Sequence, residues 1–392
     1  MRKITADYIF PVDSKAIEKG VIVTDDEGRI LSVDQREDHD FASLEVLNGA
    51  IVPGFVNTHC HLELSHMKGL VDTGTSLLPF IESVVKFRDF PNEEILDAID
   101  RADQEMYDNG IVAVGDISNK ADTFYRKKES PIRYYTFVEM FDFLQDGGAQ
   151  STFDQYKTVY DQREVNSPKN DFSSVPHAPY TVSKKLFSLI NDLNSEDCTV
   201  SIHNQETIPE NELFYSKTGG FIDFYNAFGF SLDQFEAIGK GSIYYALAHM
   251  NPNSRTLFVH NTLTTSDDVL AAQNWSENVF WATCPNANLY IENRLPNYQN
   301  FLDNDARMTI GTDSLTSNWQ LSILEEMKAI SKYQSYVSFE TMLRWATLNG
   351  AQALGFDDEF GSIEKGKKPG LNLLNLSGDM KIDDRTFVKR II

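Results

Sequence analysis

The feature that most narrows the folds open to this chain is an alternation. Eight short apolar runs, rich in β-branched and aromatic residues, are separated by helical stretches or long connections. They fall at 51–63, 111–116, 133–139, 172–177, 199–203, 256–260, 279–284 and 308–313. Near-continuous apolar composition suits strands covered on both faces, as in parallel sheets whose crossovers are helices. Ile95, Ile99, Ala102 and Met106 show the helical half: they form one apolar stripe over 93–109, and Gly110 follows as a terminating glycine. The alternation predicts an α/β fold, and eight strands is the number that closes a (β/α)8 barrel.

The two ends of the chain read differently. Over 6–10, 20–24 and 29–33 short apolar bursts alternate with turns, and Asp26-Glu27-Gly28 between the last two is a hairpin signal. Three such strands need partners for stability. Candidates lie at the far end, at 371–376 and 387–392 after Gly361-Ser362-Ile363-Glu364-Lys365-Gly366. The least regular connection, 206–255, carries Phe214, Tyr215, Phe221, Phe224, Tyr225, Phe228 and Phe230. It reads as a helical insertion with its own small core, and 207–254 as a lid is the competing reading because barrel sites are built from such loops.

Composition excludes several roles. Acidic residues outnumber basic ones by 58 to 35, a net charge of −23, which repels nucleic acid phosphates. No apolar run approaches the roughly 18 residues of a membrane span. The N-terminus moves straight into polar sequence, so the expectation is a cytoplasmic protein. Cys60, Cys198 and Cys284 are too few and too scattered for a disulfide framework.

Chemistry-bearing residues collect where the strands end. His59-Cys60-His61 closes the first run, and in extended chain residues two apart point the same way, so both imidazoles could aim at one ion while Cys60 faces away. Alone, the pair is as readily two hydrogen-bonded histidines. His203, His260 and Asp313 each end a later run, on the face where a barrel gathers its functional groups. A catalytic zinc takes about three or four nitrogen or oxygen ligands and lowers the pKa of water toward 7. His59, His61, His203 and Asp313 can supply that set. Asp313 can also accept a proton from water, His260 can hold the water, and Glu206, three residues past His203, can shuttle a proton to a leaving group.

With these residues in view, the sequence resembles the amidohydrolase superfamily, in its subgroup of metal-dependent deaminases and chlorohydrolases. The resemblance rests on Pro53-Gly54-Phe55-Val56-Asn57-Thr58-His59-Cys60-His61, Pro176-His177-Ala178-Pro179-Tyr180-Thr181, His203 with Glu206, His260, Cys284-Pro285-Asn286-Ala287-Asn288, Gly311-Thr312-Asp313-Ser314 and the 361–367 segment. It implies a barrel over 51–359 and a small composite β-sandwich from 1–50 and 360–392. It further implies one divalent metal, zinc before iron, hydrolytic deamination of an aromatic ring, and His177 as a substrate-binding residue. His61-Leu62-Glu63-Leu64-Ser65 is similar to deaminases acting on the 6-amino group of adenine-type compounds such as aminofutalosine, methylthioadenosine or S-adenosylhomocysteine, and Glu63 would then meet a ring N–H. His66, Glu139, Phe141 and Trp319 are further pocket candidates, while His39 and His249 read as surface residues.

Departures from the pattern bear on these expectations. Two-metal relatives use a carboxylated lysine after the fourth strand, where this chain has Val175-Pro176-His177, so one metal is expected. Asn286-Ala287-Asn288 replaces a usual serine before the asparagine, which puts recognition at that loop in doubt. Competing readings are a guanine, cytosine or pterin deaminase, a chlorohydrolase using the same site, and a catalytically silent binding or assembly protein on the same fold. Deaminases of the nucleic-acid-editing type need a C-x-x-C pair, absent here. The expected partner is a small molecule, with neither nucleic acid polymer nor membrane, and a homodimer is the candidate assembly.

Overall fold

The computed structural model describes residues 1–162, 171–195, 197–376 and 380–392, and shows a mixed α/β chain. Two four-stranded parallel sheets lie at its centre. One runs in the order Asp171–Pro176, Arg133–Met140, Ile111–Ser118, Phe55–Cys60. The other runs Thr199–Asn204, Arg255–His260, Val279–Thr283, Met308–Ile310. All eight expected runs therefore contain a strand, and the side chains of the central ones are buried.

The sheets meet at both edges. On one side the Thr58 hydroxyl lies 2.7 Å from that of Thr309, and a parallel bridge pairs Cys60 with Asp313. The Asn57 side chain locks the same junction, donating to Thr312 Oγ1 at 2.8 Å and accepting from Thr312 N at 3.1 Å. On the other side His203 N donates to His177 O at 2.9 Å, and Ser173 Oγ donates to Thr199 O at 2.6 Å. No helix among the described residues is long and apolar enough to cross a membrane.

The opening run is not the single strand its composition suggests. Ala50–Pro53 belongs to a five-stranded sheet with Val388–Arg390, Leu371–Leu374, Tyr8–Ile9 and Ile17–Glu18, and only Phe55–Cys60 enters the central sheet. Gly54 is the seam: a Cβ there would run into Val112 and lie 2.7 Å from Pro369 O, so only glycine lets the two sheets come this close. The chain also leaves the strand after Cys60, turning at His61 into a 3-10 helix at Leu62–Met67.

Both ends of the chain do pair with one another. A second terminal sheet orders Ile30–Gln35, Gly20–Thr24, Arg2–Thr5 and Glu45–Val46, and its hairpin turns at Gly28, whose φ is 81°. Ile4, Ile22 and Ile30 from this sheet pack with Ile9, Ile51 and Leu371 from the other in one small core. Residues 206–255 depart from the expected separate core. Its helices Ile208–Ser216, Gly220–Ala227 and Ser242–His249 send Phe214, Phe221 and Tyr225 into the main core, and Tyr245 Oη donates to Val182 O at 3.2 Å.

Candidate active site

The ends of the central strands converge on a buried cluster. His59, His61 and His203 each offer a ring nitrogen, and these three atoms lie within 4.8 Å of one another. His61 Nε2 is 3.3 Å from His203 Nε2. Asp313 Oδ1 stands 3.6 Å from His59 Nε2 and 3.5 Å from His61 Nε2, while Ser317 Oγ donates to its other oxygen at 2.7 Å. Close approach of the last strand depends on Gly311, where a Cβ would sit 2.8 Å from His59 Cβ. Asp313 itself takes a left-handed φ of 57° and His260 one of 70°, conformations that non-glycine residues rarely hold outside functional sites.

Tautomers follow from the outer hydrogen bonds. His203 Nδ1 sits 2.7 Å from His177 O, a pure acceptor, so it carries the proton and leaves Nε2 bare. His260 Nδ1 lies 2.9 Å from Asn288 Oδ1, which turns its Nε2 toward Glu206 Oε2 at 3.8 Å. The residue that interrupts the expected 284–288 pattern thus leaves Asn288 in a working position, and Asn286 instead donates to Glu326 at 3.0 Å.

Burial dominates the electrostatics. It pushes His61 and His177 down to about 3 and His260 down to about 4, and His203 well below the ordinary imidazole value. All four are neutral at pH 7, the state a metal ligand or acceptor needs. Burial alone would raise Asp313, but the facing His59, His61 and His260 hold it well below the usual carboxylate range. Glu206, 3% exposed, is pushed well above that range by burial and by the charge of Asp313. Its backbone is fixed by the wholly buried Glu210, whose carboxylate accepts from the N–H groups of Gln205 and Glu206 at 2.9 Å each.

The residues present fit a divalent cation. Both ring nitrogens of His59 are buried without a hydrogen-bond partner, an arrangement that is unfavourable unless something else engages them. Glu139, His177 and His203 form a second, overlapping group, but His203 Nδ1 is already committed to His177 O.

A cavity of about 460 Å³ opens beside the cluster, and its lining includes His61, His177, His203, Glu206, His260 and Asp313. Glu63 stands behind this lining rather than in it. Since the strand ends at Cys60, the i+2 alternation that would carry Glu63 to the rim stops, and its carboxylate accepts from Asn119 N at 2.9 Å and Lys120 N at 3.2 Å. Its Oε1 is buried without a partner. Among the other candidates Glu139 and Phe141 line the cavity. His66 does not: its Nε2 lies 3.0 Å from Arg88 O. Trp319 is half exposed against Tyr290. His39 and His249 are half-buried, the first paired with Asp34 at 3.0 Å and the second packed on Tyr245. Arg88, Asn119 and Thr181 also line the cavity, and no spacing in the sequence marks them.

A buried ion pair supports the turn at His61. Lys127 Nζ lies 2.6 Å from Asp116 Oδ2, both side chains wholly buried, and Asp116 Oδ1 accepts from Leu62 N at 2.8 Å. Removing one member of such a pair leaves an uncompensated charge, so Lys127→Met is expected to lower stability by about 3–5 kcal/mol. Urea unfolding measures it, and a loss below about 1 kcal/mol would show the pair to be no better than an exposed one.

A mixed α/β chain with a histidine-rich cluster at the ends of its parallel strands defines a class of metal-dependent hydrolase. The amidohydrolase family model matches residues 50–390, and the chain belongs to that family. It is 27% identical to an adenosine deaminase of Helicobacter pylori over 335 residues, covering 84% of this chain and 80% of the relative. It is 27% identical to an aminodeoxyfutalosine deaminase of Nitratiruptor over 345 residues, covering 84% and 80%. Among solved structures, a Helicobacter pylori aminofutalosine deaminase in complex with methylthio-coformycin superposes with a TM-score of 0.81 at 23% identity, over 100% of both chains. A Xanthomonas campestris adenosine deaminase with bound zinc gives 0.75 at 25% identity, over 96% of this chain and 85% of the other.

Proposed function

We propose that the protein is a hydrolytic deaminase that replaces the 6-amino group of an adenine-type nucleoside with oxygen. One divalent cation, zinc before iron, would be held by His59, His61, His203 and Asp313. The eight parallel strands, meeting at both edges, are then a closed (β/α)8 barrel over 51–359, and the two terminal sheets a composite β-sandwich from 1–50 and 360–392. The observation that carries the reading is the meeting of the three histidines and Asp313 with a buried, proton-holding Glu206 at one cavity wall. The deaminases among the relatives support the same reaction.

When bound, the ion would supply an activated water as nucleophile. The chain's own groups do the rest. Asp313 accepts a proton from the attacking water and His260 Nε2 orients it. Glu206 delivers its proton to the ring nitrogen beside the reacting carbon as the C–O bond forms. It then passes a proton to the amine as the C–N bond breaks and ammonia leaves. His177, steadied by Thr181 Oγ1 at 2.7 Å from its Nδ1, faces the cavity as a ring contact. Glu63 acts from behind the wall by fixing the Asn119-Lys120 backbone, so that Asn119 is presented to the substrate.

An ammonia-release screen over adenosine, methylthioadenosine, S-adenosylhomocysteine, aminofutalosine, guanine, cytosine and pterins, with metal quantified in the same preparation, tests the reading. Ammonia from the adenine compounds alone is expected. Release only from guanine, cytosine or pterins would overturn the substrate class, and chloride release from a chlorinated ring without ammonia would overturn the reaction.

A further inference from the structure

The cavity has two halves of different chemistry. Its inner end holds the histidines, Glu206, Asp313 and Glu139. Its outer walls are apolar. Helix Leu77–Phe87 presents Leu77, Phe80, Ile81 and Val84 on one face, and Phe224, Phe228 and Phe230 stand among the other apolar walls. Such a wall does not suit a bare hydroxyl or a zwitterion at the far end of the substrate, because polar groups buried there would lose water without a partner. Phe228 and Val85 remain 39% and 49% exposed, apolar surface that a ligand could cover.

One side chain breaks this pattern. Positions 77, 81, 84 and 88 follow helical spacing, so Arg88 continues the apolar stripe past the helix end and lines the same cavity. His66 holds its backbone carbonyl at 3.0 Å. Among the described residues no ion pair or side-chain hydrogen bond engages the Arg88 guanidinium, and it is the one lysine or arginine lining this cavity. In a chain of net charge −23 the general field repels anions, so a cation placed here changes what the cavity admits.

We propose that Arg88 and the outer aromatic wall form a subsite for an apolar substituent ending in a carboxylate, carried on the substrate at the end remote from the reacting ring. A single planar guanidinium matches one carboxylate, whereas a phosphate dianion among the acidic groups of the inner cavity would need more donors than one. The subsite rests on the deaminase reading for the orientation of the substrate, with the ring inward and the substituent outward.

Two probes of the same shape separate the charge from the apolar contact: 5′-phenylthio-5′-deoxyadenosine and its carboxyphenylthio analogue. Wild-type protein is expected to favour the carboxylate in kcat/KM and in calorimetric affinity by about 10- to 100-fold, the factor a hydrogen bond to a charged group supplies. Arg88→Met should bring that ratio to about 1 and Arg88→Glu should invert it, while Arg88→Lys restores part of it. A wild-type ratio near 1, a ratio that survives Arg88→Met, or tighter binding of adenosine monophosphate than of the carboxylate probe overturns the proposal. Because binding is read separately from ammonia release, tight and Arg88-dependent binding without turnover upholds the subsite while refuting the deaminase reading, and turnover with no Arg88 dependence does the reverse.

Discussion

Glu206→Gln is expected to lower kcat by about 10² to 10⁴, the range a positioned carboxyl contributes to proton transfer, while the protein keeps its metal and still binds a substrate analogue. The reason lies in how the carboxyl is held. Glu206 is buried beside His260, its backbone pinned by Glu210, and its acidity is suppressed so that the protonated form persists above the usual carboxylate range. Glutamine has nearly the same shape and can fill the same space, but it cannot pass a proton from water to ring nitrogen and then to the leaving amine. Nor does the substitution touch the cation set, since the three histidines and Asp313 reach one another without it. Steady-state kinetics, calorimetric binding and elemental analysis on the same preparation decide the matter. Near-normal turnover with bound metal would remove Glu206 from the mechanism and leave Asp313 and His260 as the acid-base groups.

What could be read from sequence alone follows the reach of the signal. The eight strands were legible because each is a compact run of β-branched residues, and their spacing carries the alternation without any tertiary information. His59, His61, His203, His260 and Asp313 were legible for a related reason: a strand end in a parallel fold has a fixed destination. The split at Gly54 was not, since an apolar run does not say which of two sheets its halves join. Glu63 failed on the same ground, because the alternation that would aim it at the rim holds only while the strand lasts, and the strand ends at Cys60. Arg88, Asn119 and Glu139 meet in space from separate elements, one past a helix, one past a strand and one near the end of another. Nothing in their local sequence distinguishes them from ordinary polar residues. The aromatic residues of 206–255 were visible as a group, but their burial in the main core is decided by packing against Tyr180 and Val182, which composition does not encode.

The purified protein is expected to carry one equivalent of a divalent transition metal, and His61→Ala to lose most of it. Chelation should also lower stability, by about 4 kcal/mol relative to protein held at a free-ion concentration 1,000-fold above the dissociation constant. The structure gives this prediction its direction. His59, wholly buried, has neither ring nitrogen engaged, and an unmet buried polar atom is unfavourable by roughly 1–3 kcal/mol. Burial also keeps His61 and His203 neutral, so their lone pairs face one another at 3.3 Å with no proton of their own to share once His203 has given its Nδ1–H to His177 O. A cation relieves both strains at once. His61→Ala removes the residue that touches His203 on one side and Asp313 on the other, and the set falls below the three or four ligands a catalytic site needs. Elemental analysis and thermal unfolding with and without chelator are the measurements. Two tightly held ions per chain would overturn the one-metal assignment and implicate the Glu139, His177 and His203 group, while an unfolding midpoint indifferent to chelation would show that the orphaned His59 nitrogens are not waiting for a metal.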